Sequence, residues 1–181
     1  NSSTSIHQFS SDSDTKGIIS HLGDAVSISA GGKHNSRCPL TNIRKYDDSY
    51  FYNYYGYKPI SESDSFIKFD FGSSMKVDLH SYLIRSVAGD PSFSDHPKTW
   101  RIEGSNDNTN WKRLDRRVND PVLNGRLKQH LFTCQERIQE NENRKFRYIR
   151  YVQEDSWYQI REPYYVSITY FELYGIVYYN Q

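Results

Sequence analysis

Residues 99–115 read TWRIEGSNDNTNWKRLD. Trp100, Ile102 and Gly104 alternate with Arg101 and Glu103, the period of two expected of a strand with one buried face. An unbroken polar run follows from Ser105 to Asn110. Short Ser, Asn and Asp side chains hydrogen-bond nearby backbone and tolerate left-handed conformations, so the run predicts a tight turn. Trp111 and Leu114 restart the apolar pattern. Strand, turn and returning strand predict a β-hairpin with both tryptophans buried at its ends. Nothing in it marks a catalytic group.

Working outward, the same alternation recurs over Ser65–Gly72, Met75–Leu79, Tyr82–Ser86, Leu127–Cys134, Phe146–Val152 and Val166–Gly175. Turn residues separate these segments, at Asn119-Asp120-Pro121 and Leu123-Asn124-Gly125 among others. Val87–His96 and Gln153–Pro163 read as loops, and Gln135–Lys145 as a charged surface excursion. Helical periodicity is nearly absent. Six to eight short alternating strands predict an all-β sandwich or barrel. Asn1–Lys16 is rich in Ser and Asp without an apolar period, which predicts a flexible arm over 1–16. One domain over 17–177 and a tail over 178–181 complete the expected organisation.

The 181 residues suit one domain, and hydrophobic residues make up only 36% of them, with sixteen tyrosines included. The core must therefore be aromatic and β-branched. A net charge of +1 sets up no global field for nucleic acid or an anionic membrane. No apolar run approaches the roughly 20 residues of a membrane span. Cys38 and Cys134 are two lone cysteines, which predicts free thiols and a cytoplasmic location. The six histidines are scattered away from zinc-ligand spacing. No nucleophile elbow, metalloprotease helix or phosphate loop occurs, so an enzyme is not expected.

Residues 42–57 read NIRKYDDSYFYNYYGY, with aromatics at Tyr46, Tyr50, Phe51, Tyr52, Tyr54, Tyr55 and Tyr57. A buried strand would not use so many tyrosines, because each buried hydroxyl needs a partner. Two readings stay open: an aromatic cap on the core, or a binding platform. Counting exposed-type aromatics and polar groups on the three loops, the candidate ligand-binding residues are Tyr52, Tyr54, Phe93, His96, Trp157, Tyr158 and Arg161. Arg85 joins them, since an arginine among apolar strand residues has a specific partner.

Several of these segments carry a family resemblance. Pro97-Lys98-Thr99-Trp100-Arg101-Ile102-Glu103-Gly104-Ser105-Asn106-Asp107 with Asn110-Trp111 resembles the central motif of F5/8 type C (discoidin-like) domains of the galactose-binding-like superfamily. Phe66–Gly72, Phe146–Arg150 and Val166–Gly175 are similar to its other strand signatures, and Gly17–Leu22 to the start of the intracellular members. The resemblance covers about Gly17 to Gly175. It implies a jelly-roll β-sandwich whose loops at one end bind glycans, lipid headgroups or proteins. The loops here offer tyrosines and charges instead of adjacent Leu, Met or Phe, which disfavours a membrane. A protein partner, within a larger intracellular adaptor, is the main expectation; a galactose-type glycan is the alternative. Glycan-binding relatives hold a structural calcium near an N-x-x-D-G segment and the glutamate of the last strand. Here Lys45 stands where that aspartate would be, which disfavours calcium. If a metal is held, Asp47, Asp48 and Glu172 are the ligands; otherwise Glu172 pairs with a basic neighbour.

Overall fold

Alternating, tyrosine-rich segments satisfy their backbone by pairing with one another. The computed structural model describes residues 3–10, 16–34, 36–54, 61–90, 94–136, 142–160 and 163–180. In chain order these form β1 (Ser3–His7), α1 (Ile18–Leu22), β2 (Ser27–Ala30), β3 (Phe51–Tyr52), β4 (Phe66–Asp70) and β5 (Met75–Arg85). There follow β6 (Pro97–Ser105), β7 (Lys112–Arg117), β8 (Gln129–Thr133), β9 (Tyr148–Ser156), β10 (Ser167–Ile168) and β11 (Tyr170–Tyr179). A four-stranded sheet runs β1-β11-β5-β8, a five-stranded one β2-β4-β9-β6-β7, and β10 pairs with β3. All these pairings are antiparallel. The architecture is an all-β jelly-roll sandwich.

The core between the sheets is built from rings. Trp100 and Tyr151 come from the five-stranded sheet, and Tyr82, Phe132 and Phe171 from the other; all five are buried. Tyr82 stacks on Phe132 at 5.2 Å, Trp100 meets Phe132 edge-on at 5.1 Å, and Tyr151 meets Phe171 at 5.8 Å. Each buried hydroxyl of this group finds an acceptor, as a phenol out of water must. Tyr151 donates to Gln153 Oε1 at 2.9 Å and Tyr82 to Asp115 Oδ2 at 2.5 Å.

The hairpin over 97–117 forms as expected, and its turn is held by Asp107. Asp107 Oδ1 accepts from the backbone N–H of Thr109 (2.9 Å) and of Asn110 (2.7 Å), while Asn108 takes φ 61°. Gly104 must stay small: a Cβ there would lie 2.5 Å from the Phe146 ring.

Four expectations are corrected. Trp111 is only half-buried, because it faces outward with the Arg150 guanidinium 3.8 Å above its ring. Met75–Leu79 and Tyr82–Ser86 are not two strands. They merge into β5, which absorbs an irregularity opposite Tyr174/Gly175. Gly175 permits this at φ 153°, where a Cβ would lie 2.1 Å from the Asp78 carbonyl. The supposed arm is a paired edge strand over Ser3–His7, Ser3 opposite Tyr179 and His7 opposite Gly175. Backbone pairing holds it and needs no apolar alternation. The supposed tail from 178 begins inside β11, which runs to Tyr179.

The hairpin and its sheet give a pH expectation. Asp107 is held well below the usual carboxylate range by donors from Asn110, Thr109 and Ser105, and Glu154 is held low chiefly by Arg116. A depressed folded-state value stabilises above the unfolded values, 3.8 for Asp107 and 4.5 for Glu154, and that stability is lost as pH falls through the folded ones. Urea midpoints should therefore fall progressively below about pH 4.5, with the Asp107 share still being lost below about pH 3. Asp107→Asn should shed part of that drop, and an identical drop in the variant would contradict the assignment.

Candidate functional site

At one end of the sandwich the aromatic segment and the 163–166 segment are clamped together by buried amides. Asn53, fully buried, donates from Nδ2 to the Tyr164 carbonyl (3.0 Å) and accepts at Oδ1 from Val166 N (2.8 Å). Gln153, also fully buried, donates from Nε2 to the carbonyls of Tyr165 (2.6 Å) and Pro163 (2.9 Å). Backbone held this way cannot drift, so the rings it carries have fixed positions. Tyr54 meets Tyr165 at 5.0 Å and Tyr52 at 5.8 Å.

Beside this cluster lies a cavity of about 290 Å³, lined by Asp48, Tyr50, Tyr52, Val87, Ala88, Gly89, Ser94, Asp95 and Ser167. The Tyr52 hydroxyl donates to Asp95 Oδ2 at 3.0 Å. Asp95 is buried and Tyr50 is exposed, so the lining runs from a carboxylate at depth to a ring at the rim. A concave site with aromatic walls and a few convergent polar groups can hold one small polar ligand. A larger cavity of about 430 Å³ lies along Asp78, Leu79, His80, Leu114, Cys134, Glu136 and Arg144. None of those residues carries a stacking ring apart from the His80 imidazole, so we place the site at the tyrosine-lined cavity.

The sequence candidates divide around this cavity. Tyr52 lines it and Tyr54 supports Tyr52. Arg85 is occupied: it donates to the Asp47 carbonyl (2.9 Å), lies 3.4 Å from Asp48 and covers the Tyr46 ring at 5.2 Å. It positions the segment carrying Asp48 and is not among the lining residues. His96 is corrected: it is fully buried, with Nδ1 3.2 Å from Asn124 Oδ1, and burial lowers its pKa. It is thus held inside the domain beside Asn124 and not lifted clear of it. The Trp157 ring lies over Lys98 (4.8 Å), and its Nε1 donates to the Asp120 carbonyl (3.3 Å), so it braces the 97–121 region. Tyr158 is half-buried and does not line the cavity. The expectations for Phe93, Arg161, Tyr55 and Tyr57 lie outside the described residues. Asp95, Ser94 and Ser167 were missed. The Ser-Asp-His ending of the 87–96 loop was the available signal, since a short loop beside a strand end presents such groups.

The calcium that the resemblance implies does not fit the residues present. Glu172 spends both oxygens on donors: Oε1 accepts from Ile19 N and Leu173 N (2.8 Å each), and Oε2 from Ser20 N (3.1 Å) and Ser20 Oγ (2.8 Å). That corrects the expected basic partner, because backbone N–H groups at the start of α1 take its place. Burial nonetheless pushes the Glu172 pKa up, with these donors opposing. Arg44 donates to the carbonyls of Gly23 (3.0 Å) and Val26 (2.6 Å), and Arg44 and Gly23 line one cavity with Glu172. The resident cation is thus Arg44, one position before Lys45. Asp47 is bonded to Ser49, and Asp48 faces Arg85. Among the described residues no three His, Cys, Asp or Glu side chains are grouped to hold a metal. The melting temperature should be the same in chelator and in calcium, whereas a ligand binding only the folded state would raise it. Arg44→Ala should lower it by roughly 2–4 °C, the equivalent of about 1 kcal/mol in a chain of this size. A calcium-dependent rise in the parent protein would contradict the assignment.

No family model matches the chain, and no curated protein matches it. Solved structures do. A family 32 CBM from Clostridium perfringens NanJ, in complex with galactose, is 12% identical, with TM-score 0.57, covering 88% of this chain and 98% of that one. CBM32-3 from a family 31 glycoside hydrolase of C. perfringens is 14% identical, with TM-score 0.60 and coverage of 88% and 94%. A family 89 glycoside hydrolase of C. perfringens, in complex with 2-acetamido-1,2-dideoxynojirmycin, is 16% identical, with TM-score 0.54 over 85% of this chain. The chain spans only 14% of that hydrolase. The chain therefore shares the β-sandwich fold of these modules, in keeping with the fold that the sequence resemblance implies.

Proposed function

We propose that this domain is a non-catalytic carbohydrate-binding module that holds one sugar unit in the cavity between Tyr50, Tyr52 and Asp95. The observation that carries it is the Tyr52–Asp95 pair: an aromatic face next to a buried carboxylate, on backbone clamped by Asn53 and Gln153. Rings cover the C–H face of a pyranose, and a carboxylate accepts from its hydroxyls with charge-assisted strength. The sandwich shared with a module solved in complex with galactose supports a galactose-type ligand.

A protein partner, the main expectation from sequence, is the weaker reading. Its anchors were to be loop aromatics free to enter another surface, and Trp157 and Tyr54 are packed within the domain instead. The cytoplasmic expectation rested in part on the cysteines. Cys38 is buried, and burial pushes the Cys134 thiol far above its ordinary value. Thiols shielded in this way do not report a redox compartment. Among the described residues no helix is long and apolar enough to cross a membrane.

The test is a glycan array probed with the purified domain, alongside an affinity capture from extract. Selective, saturable signal on galactose-type glycans is the expected result. A blank array with saturable capture of one protein would overturn the proposal in favour of the adaptor reading.

A further inference from the structure

The charge of the cavity goes further than its shape. Its lining includes two carboxyl side chains, and no lysine or arginine stands among the described lining residues. Asp95 sits at depth, 4% exposed, and accepts from the Tyr52 hydroxyl. The Asp48 side chain stands at the rim, 71% exposed. Arg85 pairs with Asp48, both terminal guanidinium nitrogens lying 3.4 Å from Asp48 Oδ1, and it also donates to the Asp47 carbonyl and covers the Tyr46 ring. A ligand in the cavity therefore meets the Asp95 carboxylate at depth, and at the rim a second carboxylate, Asp48, whose charge is partly offset by Arg85.

Resting on the carbohydrate reading above, we propose that this cavity selects sugars by charge. It admits neutral sugars and amino sugars carrying a protonated amine, and it rejects uronic and sialic acids. The reason is elementary. A hydroxyl donates to either carboxylate without adding charge, and an ammonium adds attraction. A sugar carboxylate placed among Asp48, Asp95 and the Tyr50 and Tyr52 rings brings like charge into a partly desolvated space, where repulsion is stronger than in water. The exposed Asp48 contribution is screened by salt, and the buried Asp95 contribution much less so.

The test is calorimetric titration of the domain at neutral pH and low salt with galactose, galactosamine and galacturonate. Galacturonate should bind at least about tenfold more weakly than galactose, and galactosamine at least as tightly as galactose. Asp48→Asn should narrow the gap between galacturonate and galactose, and added salt should narrow it in the parent protein. Asp95→Asn should narrow it further. Should that variant lose its fold, Asp48→Asn and the salt series still decide the matter. Galacturonate binding as tightly as galactose would overturn the charge selection while leaving the carbohydrate reading intact. Binding of none of the three, with a blank glycan array, would overturn both.

Discussion

Asp115→Ala is expected to destabilise the domain by about 3–5 kcal/mol, the typical effect of removing one partner from a buried charged pair. Asp115 is fully buried on β7 and is the acceptor for three groups, one from its own strand and two from other parts of the sandwich. Its Oδ2 takes the Tyr82 hydroxyl (2.5 Å) and Arg117 Nε (3.0 Å), and its Oδ1 takes Gln135 N (3.1 Å). Trp100 Nε1 in turn donates to the Tyr82 oxygen at 3.0 Å, so the chain of bonds joins both sheets. Alanine would leave a phenol, a guanidinium and a backbone N–H without their acceptor in the same small volume. Against a total stability of about 5–15 kcal/mol for a domain, such a loss leaves the variant marginal or unfolded. Tyr82→Phe removes the donor to Asp115 and also leaves the buried Trp100 Nε1 without its acceptor, and should cost about 1–3 kcal/mol. Urea denaturation of both variants checks this. An Asp115→Ala midpoint close to that of Tyr82→Phe would show that the carboxylate is not the hub.

The second large effect is on binding. Tyr52→Ala should weaken glycan affinity by about 2 kcal/mol or more, the scale on which a central aromatic acts in a binding site. The ring forms one wall of the cavity, and its hydroxyl holds Asp95 Oδ2. Tyr52→Phe separates the two contributions. It keeps the wall and releases the carboxylate, so its loss should be smaller, of the order of about 1 kcal/mol. Isothermal titration with melting temperatures recorded in parallel decides it. Equal affinity for Tyr52→Ala and the parent protein would remove Tyr52 from the site.

How much of this was legible in the sequence follows from what each feature depends on. The hairpin over 97–117 was legible because both strands alternate and the turn is made of Asn, Asp and Ser. The sandwich followed from the same alternation repeated. β1 was not legible: Ser-Thr-Ser-Ile-His has no buried face, and it is a strand only because β11 offers a free edge. The joining of two apparent strands into β5 depends on an irregularity that Gly175 accommodates across the sheet, which no local pattern announces. At the candidate site, the aromatic run contributes Tyr50 and Tyr52 to the cavity lining. Which rings face the cavity is set by Asn53 and Gln153, whose partners are more than a hundred and about a dozen residues away. His96 was misjudged because loop composition suggests exposure, while Asn124 from another turn closes over it. Asp95, its neighbour, is the group that reaches the cavity. The role of Arg44 likewise needed the carbonyls of Gly23 and Val26 to be seen around it.

The central claim is that a sugar sits in the cavity lined by Tyr50, Tyr52 and Asp95. Its most direct test is a backbone-amide NMR titration of the isotope-labelled domain with a galactose-terminated disaccharide. Saturable shifts should cluster on Asp48, Tyr50, Tyr52, Gly89, Ser94, Asp95 and Ser167. Shifts centred instead on Asp78, His80 and Cys134, or none at saturating sugar, would contradict the account.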